Sequence, residues 1–294
     1  MQIAFHIGAN CTDEDRLLKS ILKNADPLLK QGIAVPGPSR YRSLIRETIQ
    51  GLGQADPAPD ARDILLDAIV DNDELRRVVL SNDNFICIPK RIFDHGVFYP
   101  QAEHKVRGLR RLFPQDEITL YLSIRNPVTF LQETYKRTQT GDFQTYLGLL
   151  QPEDLRWSDM IKRIKSGAPD VPLVVWCNED SPLLWDQLIR SVSGISPDQG
   201  IAGGFDLLSH VLTADGLKLL KARLAEAPPQ KDVDRHEMIA DIWEKHAITD
   251  AVEDEIDLLE LPSDVVDRMT QTYEEDLNVI AALPGVQLML PFGA

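Results

Sequence analysis

Short, strongly apolar segments alternate along this chain with longer segments whose apolar residues recur at helical spacing. The segments that predict strands cover 2–8, 84–89, 118–124 and 172–177. Such alternation favours a mainly parallel sheet, because each connection between parallel strands needs a crossover, which a helix supplies. The sequence therefore predicts an α/β fold whose mainly parallel sheet is flanked by helices on both faces.

Helical spacing is clear after the first predicted strand and throughout the second half of the chain. The first predicted helix covers 13–31, with Thr12 or Asp13 as its N-cap. Asn126 and Pro127 predict another helix start, since asparagine caps helices and proline favours the first helical position. The other predicted helices cover 39–51, 61–79, 101–112, 155–166, 182–192, 214–226, 233–246 and 263–282.

The distribution of linkers and charge predicts a single domain over 1–294 with an acidic, helix-rich final third. Its linker-like stretches are short, and the segment VQLMLPF near the end predicts an edge strand or a tail packed on the core. The net charge is −15, and residues 201–294 hold 19 acidic and 7 basic side chains. A nucleic-acid partner is disfavoured, because the polyanion would be repelled.

Cysteine usage and hydropathy indicate the compartment. Cys11, Cys87 and Cys177 are widely spaced and form neither a zinc pattern nor a disulfide framework, which favours a reducing environment. No apolar run approaches the ~18 residues of a membrane helix. The N-terminus lacks the basic region and cleavage pattern of a secretory signal. The sequence predicts a cytoplasmic protein with no membrane partner.

The loop after the first predicted strand is the expected ligand site. In α/β sheets ligands bind outside the carboxyl ends of the strands, and a helix N-terminus there favours phosphate. The loop reads GANCTDED over 8–15. Against the phosphate-binding pattern G-x-x-x-x-G-K-[ST], it keeps Gly8 but places Asp13, Glu14 and Asp15 at the second glycine, lysine and hydroxyl positions. The charge of the motif is inverted.

This part of the chain resembles the start of the bacterial sulfotransferases. The segment HIGA at 6–9, followed by a helix and then by Asn24, Gly32 and Pro36, is similar to the family's opening segment. That family's loop typically reads H-I-G-A-H-K-T-G-T-T. Near the other end, the segment YEEDL at 273–277 and the helix after it resemble the family's closing helix.

A further resemblance lies after the third predicted strand. Arg125-Asn126-Pro127 and Tyr135 are similar to the element R-[DN]-P-x5-S-x-Y, whose arginine and serine hold the 3′-phosphate of phosphoadenosine phosphosulfate. The resemblance implies a P-loop, sulfotransferase-like fold and that nucleotide as cosubstrate. The anion site that we predict from the matching positions and one nearby cation consists of Gly8, Thr12, Arg16, Arg125 and Tyr135.

The departures from the family's pattern are all in charge or hydrogen-bonding groups. The family's loop lysine corresponds to Cys11, its two threonines to Glu14 and Asp15, and the serine of the second element to Glu133. Two like charges ~4 Å apart cost about 4 kcal/mol at an effective dielectric constant near 20. Sulfuryl transfer also needs cations where charge develops on the leaving phosphate. Binding of phosphoadenosine phosphosulfate is therefore disfavoured.

Three functions follow as alternatives. The first is a sulfotransferase-like protein with a degenerate cosubstrate loop, non-catalytic or weakly catalytic, that binds a small anion, a carbohydrate-like ligand or a protein partner. The second is an active sulfotransferase acting on a carbohydrate or small-molecule hydroxyl, with Arg125, Arg16 and Lys90 or Arg91 replacing the loop lysine. The third is a scaffold or oligomerisation protein, whose cleft above the strand ends should be filled.

Single residues in this region each allow two interpretations. The acids at 13–15 are able to bind a hard cation, but compensation of a helix dipole is favoured, and we predict no metal site. Cys11 precedes a helix, yet its acidic neighbours favour an unreactive, partly buried thiol. His6 fits the family's motif, and a core histidine satisfied by a hydrogen bond is favoured over a ligand.

Overall fold

A computed structural model describes residues 1–53, 55–72, 74–138, 141–196, 199–229, 231–249 and 261–292. The described chain forms one six-stranded parallel sheet with the strand order β2-β3-β1-β4-β5-β6. The strands are β1 (Gln2–His6), β2 (Ile33–Ala34), β3 (Arg77–Ser81), β4 (Glu117–Ile124), β5 (Leu173–Cys177) and β6 (Val286–Met289). The predicted α/β fold is confirmed.

The helices of the described segments surround this sheet. They are α1 (Arg16–Leu22), α2 (Ala25–Leu29), α3 (Arg42–Leu52), α4 (Ala61–Ile69), α5 (Ala102–Leu112), α6 (Pro127–Thr138), α7 (Phe143–Leu147), α8 (Trp157–Gly167), α9 (Ser181–Ser193), α10 (Leu208–Val211), α11 (Ala214–Glu226), α12 (Asp232–His246) and α13 (Ser263–Ala281). No helix among these residues is long and apolar enough to cross a lipid bilayer.

The position of the central strand β1 in the sheet determines where a ligand cleft is expected. Phe5 of β1 lies opposite Leu80 of β3 and Leu120 of β4, and all three side chains are buried. The chain first runs from β1 towards the β2 edge and later crosses to the other side of β1 to form β4. Ligand clefts of open α/β sheets lie at such a divergence, outside the carboxyl ends of the strands.

The helices cover both faces of the sheet, as expected. On one face, α1 and α9 pack Leu17, Ile21 and Leu188 against Val79 and Trp176 of the strands. The opposite face carries the larger core, to which α3, α5, α6, α8 and α13 contribute. A third, smaller apolar cluster joins α10, α11 and α12 and packs against α9.

The predicted strand at 84–89 is wrong, and the strand lies at Arg77–Ser81 instead. The predicted helix over 61–79 is correspondingly too long, since α4 ends at Ile69. The segment 84–89 is apolar because Phe85 and Ile86 fill the core from a loop, with the Phe85 ring 5.5 Å from that of Phe5. An apolar run of this length signals burial but not strand pairing.

The predicted helix over 13–31 is divided into α1 and α2. Pro27 lies inside α2, and a continuous helix would bring its ring against the carbonyl group of residue 23. Asn24, between the two helices, binds the backbone of Ala202 through both side-chain atoms, at 2.8 and 3.0 Å. The break therefore anchors a distant segment of the chain.

Candidate functional site

A cleft of about 450 Å³ opens at the carboxyl ends of β1, β4 and β5. Its walls are the loop after β1, part of α6, and the turn that joins β5 to α9. Leu207, Val211 and Trp243 close one side from the segment that contains α10 and α12. The charged side chains of the lining are Asp13, Glu14, Arg16, Arg125, Glu133 and Glu179. Acids thus outnumber bases in the cleft by four to two.

The start of the loop is held by the sheet. The Gly8 carbonyl accepts a 2.7 Å hydrogen bond from the N–H of Ser123, and the Ala9 N–H donates to the Ser123 carbonyl at 2.8 Å. Gly8 has a φ of +110°, and an added Cβ would lie 3.1 Å from the Asp83 carbonyl oxygen. Gly8 therefore shapes the backbone beneath the cleft and does not line it.

The middle of the loop provides the hydrogen-bond acceptor for the first turn of α1. An Asp13 carboxylate oxygen accepts a 3.1 Å hydrogen bond from the N–H of Leu17, and the Asp13 side chain is buried. Thr12 donates its hydroxyl to the Ala9 carbonyl at 2.8 Å instead of capping α1. One backbone N–H at the start of α1 thus binds a carboxylate of the chain itself, at a kind of helix terminus that otherwise favours a phosphate.

The other two loop acids are neutralised by arginines from distant segments. Glu14 forms an ion pair with Arg137 at 2.5 Å and lies 3.6 Å from Arg16. Asp15 accepts two hydrogen bonds from Arg42, at 2.5 and 3.1 Å, which lower the pKa of this carboxyl group. Sequence reasoning missed Arg42 and Arg137, because no local pattern relates them to the loop.

The start of α6 repeats the same arrangement. The Asn126 side-chain oxygen caps the helix through the N–H of Val128 at 3.0 Å, as predicted. The backbone N–H of Asn126 donates to Glu179 at 2.7 Å, and the hydroxyl of Tyr273 lies 3.3 Å from the other Glu179 oxygen. A carboxylate of the chain therefore also occupies this second helix start.

Arg125 faces the cleft and ties its walls together. Its guanidinium donates to the Cys11 carbonyl at 3.0 Å and to the Thr129 hydroxyl at 2.9 Å. Its own carbonyl accepts from the indole of Trp157 at 2.8 Å. Arg125 is thus a fixed cation in a cleft whose other charged side chains, apart from Arg16, are acids.

The predicted anion site is assembled only in part. Thr12, Arg16 and Arg125 line the cleft together, whereas Tyr135 points elsewhere and donates its hydroxyl to the Gly141 carbonyl at 2.9 Å. Glu133, two residues before Tyr135, does line the cleft. Residues two apart on a helix are separated by about 200°, so the two side chains leave α6 on opposite sides.

The two other cations proposed to replace the loop lysine lie outside the cleft lining. Lys90 and Arg91 belong to a short helical turn, and Arg91 forms an ion pair with Asp94 at 2.8 Å. Only Arg16 and Arg125 of the proposed replacements reach the cleft.

His6 is buried in the core, and Cys11 is a buried residue in the wall of the cleft. The His6 ring shares a 2.9 Å hydrogen bond with the Ser81 hydroxyl and stacks on Trp176 at a centroid distance of 5.7 Å. Burial raises the pKa of the Cys11 thiol to about 12, which leaves no nucleophilic thiolate near neutral pH. No group of three or more potential metal ligands occurs among the described residues.

One acid at the cleft edge holds its proton more tightly than usual. Burial, together with the neighbouring charge of Glu179, raises the pKa of Asp180 to about 6. Asp180 immediately precedes α9, whose first residues Ser181 and Pro182 line the cleft. This wall therefore changes charge just below neutral pH.

Comparisons with known proteins add no family assignment. The chain matches no protein-family model, and no curated protein matches it significantly.

Proposed function

We propose that this chain is a sulfotransferase-like protein that binds a neutral, carbohydrate-like ligand in the cleft and does not transfer sulfate. One observation carries the proposal: carboxylates of the chain itself accept hydrogen bonds at two helix starts beside the cleft, those of α1 and α6. Asp13 binds the N–H of Leu17 at 3.1 Å, and Glu179 binds the N–H of Asn126 at 2.7 Å.

A phosphorylated nucleotide would have to displace these carboxylates or lie beside them. One pair of like charges ~4 Å apart costs about 4 kcal/mol at an effective dielectric constant near 20, which corresponds to roughly a thousandfold in affinity. The donors also gain nothing from the exchange, because they already bind an anion. A neutral ligand avoids both penalties.

The polar lining suits a ligand rich in hydroxyl groups. Glu133, Glu179 and Asn178 offer acceptors, and Arg16 offers donors. Trp243 supplies an aromatic surface on the opposite wall. The volume of about 450 Å³ falls within the range of small-molecule sites.

The two alternatives are less well supported. An active enzyme would need cations at the loop, but Arg125 is already engaged by the Cys11 carbonyl and Thr129, and Lys90 and Arg91 do not line the cleft. A scaffold protein was expected to have this space filled by side chains, whereas a cleft is present.

Calorimetry with 3′-phosphoadenosine 5′-phosphate tests the nucleotide part of the proposal. We expect no saturable heat for the wild type at millimolar nucleotide. The double variant D13A/E179A frees these two helix starts and should give saturable heat at millimolar nucleotide. The control D67A/E226A removes two exposed acids outside the cleft lining and should, like the wild type, give no saturable heat. Micromolar affinity of the wild type would overturn the proposal.

Fluorescence titration with maltose and with chitobiose tests the carbohydrate part. We expect a saturable change in tryptophan emission with at least one of these probes at millimolar concentration. W243A should bind at least tenfold more weakly, whereas W243F, which retains an aromatic ring, should keep most of the affinity; Trp185, which also lines the cleft, remains as a reporter in both variants. A wild type that responds to neither sugar would contradict this ligand class.

A further inference from the structure

The indole N–H of Trp185 is a hydrogen-bond donor buried at the cleft wall. The Trp185 side chain is only 2% exposed, and its Nε1 atom makes no hydrogen bond with any described residue. The two other fully buried tryptophans are paired: Trp157 donates to the Arg125 carbonyl at 2.8 Å, and Trp176 donates to the Ser181 hydroxyl oxygen at 3.1 Å. Buried indole N–H groups normally have an acceptor, because burial without one forfeits the hydrogen bond to water.

Trp185 lies between an apolar cluster and the cleft. It belongs to the cluster that contains Leu17, Trp176 and Leu188, and its side chain also lines the cleft. Those three side chains offer no acceptor, since leucine is apolar and an indole N–H is itself a donor. An acceptor from outside the chain therefore reaches Trp185 through the cleft.

Ser181 supplies a second donor on the same wall. It precedes Trp185 by one turn of α9, so the two side chains lie on one face of the helix, and both line the cleft. The Ser181 hydroxyl oxygen accepts from Trp176, and a hydroxyl that accepts in this way keeps its own hydrogen for a further bond. Ser181 is 4% exposed, and within the described segments that hydrogen has no acceptor.

An uncharged carbonyl oxygen is the acceptor that best fits these two donors. Glu133 and Glu179 line the same cleft, so they would repel a carboxylate or a phosphate. A carbonyl oxygen accepts two hydrogen bonds and has no hydrogen that needs an acceptor in turn. The lining also has an apolar part, formed by Pro182, Leu207 and Val211, which suits a methyl group.

We propose that Trp185 and Ser181 bind the carbonyl oxygen of an acetamido group, so that the ligand of the cleft is an N-acetylated amino sugar. The indole N–H and the hydroxyl donate to the two lone pairs of that oxygen, and the methyl group lies on the apolar part of the lining. This inference rests on the proposed carbohydrate-like ligand and narrows it to one class of sugar. A sugar without the acetamido group leaves both buried donors unpaired, which weakens its binding.

Calorimetry with N,N′-diacetylchitobiose and with cellobiose tests this assignment, because the two disaccharides share their linkage and differ in the acetamido groups. We expect the wild type to bind the acetylated sugar about tenfold more tightly. W185F keeps an aromatic ring but has no N–H, and it should remove most of this preference, as S181A should in part. The control S191A changes a serine of α9 outside the cleft lining and should retain the full preference.

The outcomes separate this inference from the proposed function. Equal affinities of the wild type for the two sugars, or an undiminished preference in W185F, would overturn the inference and leave the carbohydrate site intact. Failure of both sugars to bind would contradict the proposed function, and this inference with it.

A second measurement uses the unaltered chain, so that a folding defect of W185F does not decide the result. The chain has four tryptophans, and heteronuclear NMR resolves and assigns their indole N–H signals. Saturating N,N′-diacetylchitobiose should move the Trp185 indole proton downfield, as a new hydrogen bond does, and cellobiose should move it less. The Trp157 signal is the internal control, since its N–H already donates to the Arg125 carbonyl. A Trp185 signal that moves no more than that of Trp157 would refute the contact.

Discussion

Arg42 holds Asp15 through two hydrogen bonds of 2.5 and 3.1 Å, and this ion pair joins α3 to the loop after β1. The loop acids therefore do not simply repel one another. A distant guanidinium neutralises each exposed acid, while the buried Asp13 is neutralised by the start of α1. The charged side chains of the loop are thus paired within the protein, and the loop needs no external anion to be stable.

The Asp15–Arg42 pair should contribute to stability only above acidic pH. The hydrogen bonds from Arg42 lower the pKa of Asp15, so the contribution is complete above the unfolded pKa and is lost as the pH falls through the folded value. In R42M the free energy of unfolding should therefore fall less steeply between pH 6 and 2.5 than in the wild type, as measured by urea denaturation.

The matched control is R40M, which breaks the neighbouring pair between Arg40 and Asp71. Asp71 is 80% exposed in that pair, so R40M should change the pH dependence of the free energy of unfolding much less than R42M does. Equal effects of the two variants would show that the Asp15–Arg42 pair stabilises the fold no more than the exposed Arg40–Asp71 pair does.

Asp13 should stabilise α1 as an internal cap. Its carboxylate is buried and accepts from the N–H of Leu17, so D13A should lower the free energy of unfolding by about 1 kcal/mol. D67A, at an exposed position of α4, should change it by less than about 0.5 kcal/mol. Indistinguishable denaturation midpoints for the two variants would contradict the capping role.

Asp180 should destabilise the fold at neutral pH. Burial and Glu179 raise the pKa of this carboxyl group to about 6, so the neutral acid is favoured in the fold and a penalty grows as the pH rises through that value. D180N should gain about 1 kcal/mol at pH 7.5, since solvent contact screens part of the penalty, and almost nothing at pH 4. A gain of the same size at both pH values would argue against titration of Asp180.

Arg77 is a buried cation that caps a helix. It donates to the carbonyls of Ser191 and Val192 at the end of α9, at 3.1 and 3.0 Å, and lies 3.3 Å from the Tyr121 hydroxyl. R77K replaces the planar, forked guanidinium with an ammonium group that cannot donate in the same geometry. This change should lower the free energy of unfolding by about 2 kcal/mol.

The neighbouring R76K serves as the control for Arg77. Arg76 makes one side-chain hydrogen bond, to the Gln31 carbonyl at 2.7 Å, and faces solvent. Its change should cost less than about 0.5 kcal/mol in chemical denaturation. An R77K protein as stable as R76K would mean that α9 does not depend on this cap.

The cysteines should be unreactive in the folded protein. Burial raises the pKa of Cys11, Cys87 and Cys177 to about 12 in each case. A disulfide reagent at pH 8 should therefore release almost no thiol signal from native protein, and three equivalents after unfolding in urea. One fast-reacting thiol in the native state, identified by mass spectrometry, would contradict this prediction and indicate that the cysteine concerned is reactive.

Much of the architecture was predictable because its signals are local. The strands β1, β4 and β5, the helix α5 and the capped start of α6 at Asn126 follow from short-range spacing and capping, and the structure confirms them. The parallel sheet follows from their alternation. The sequence also identified the loop at 8–15 and Arg125 as neighbours of one cleft, because parallel strands end at the same edge.

The rest was decided by contacts between distant segments. The apolar run at 84–89 and β3 are equally hydrophobic, and only pairing with β1 distinguishes a strand from a buried loop. Likewise the carboxylate of Glu179 reaches Asn126, and the guanidinium of Arg42 reaches Asp15, across 53 and 27 residues. The residue types were visible in the sequence, but charge acts through distance in space, which only the folded chain sets.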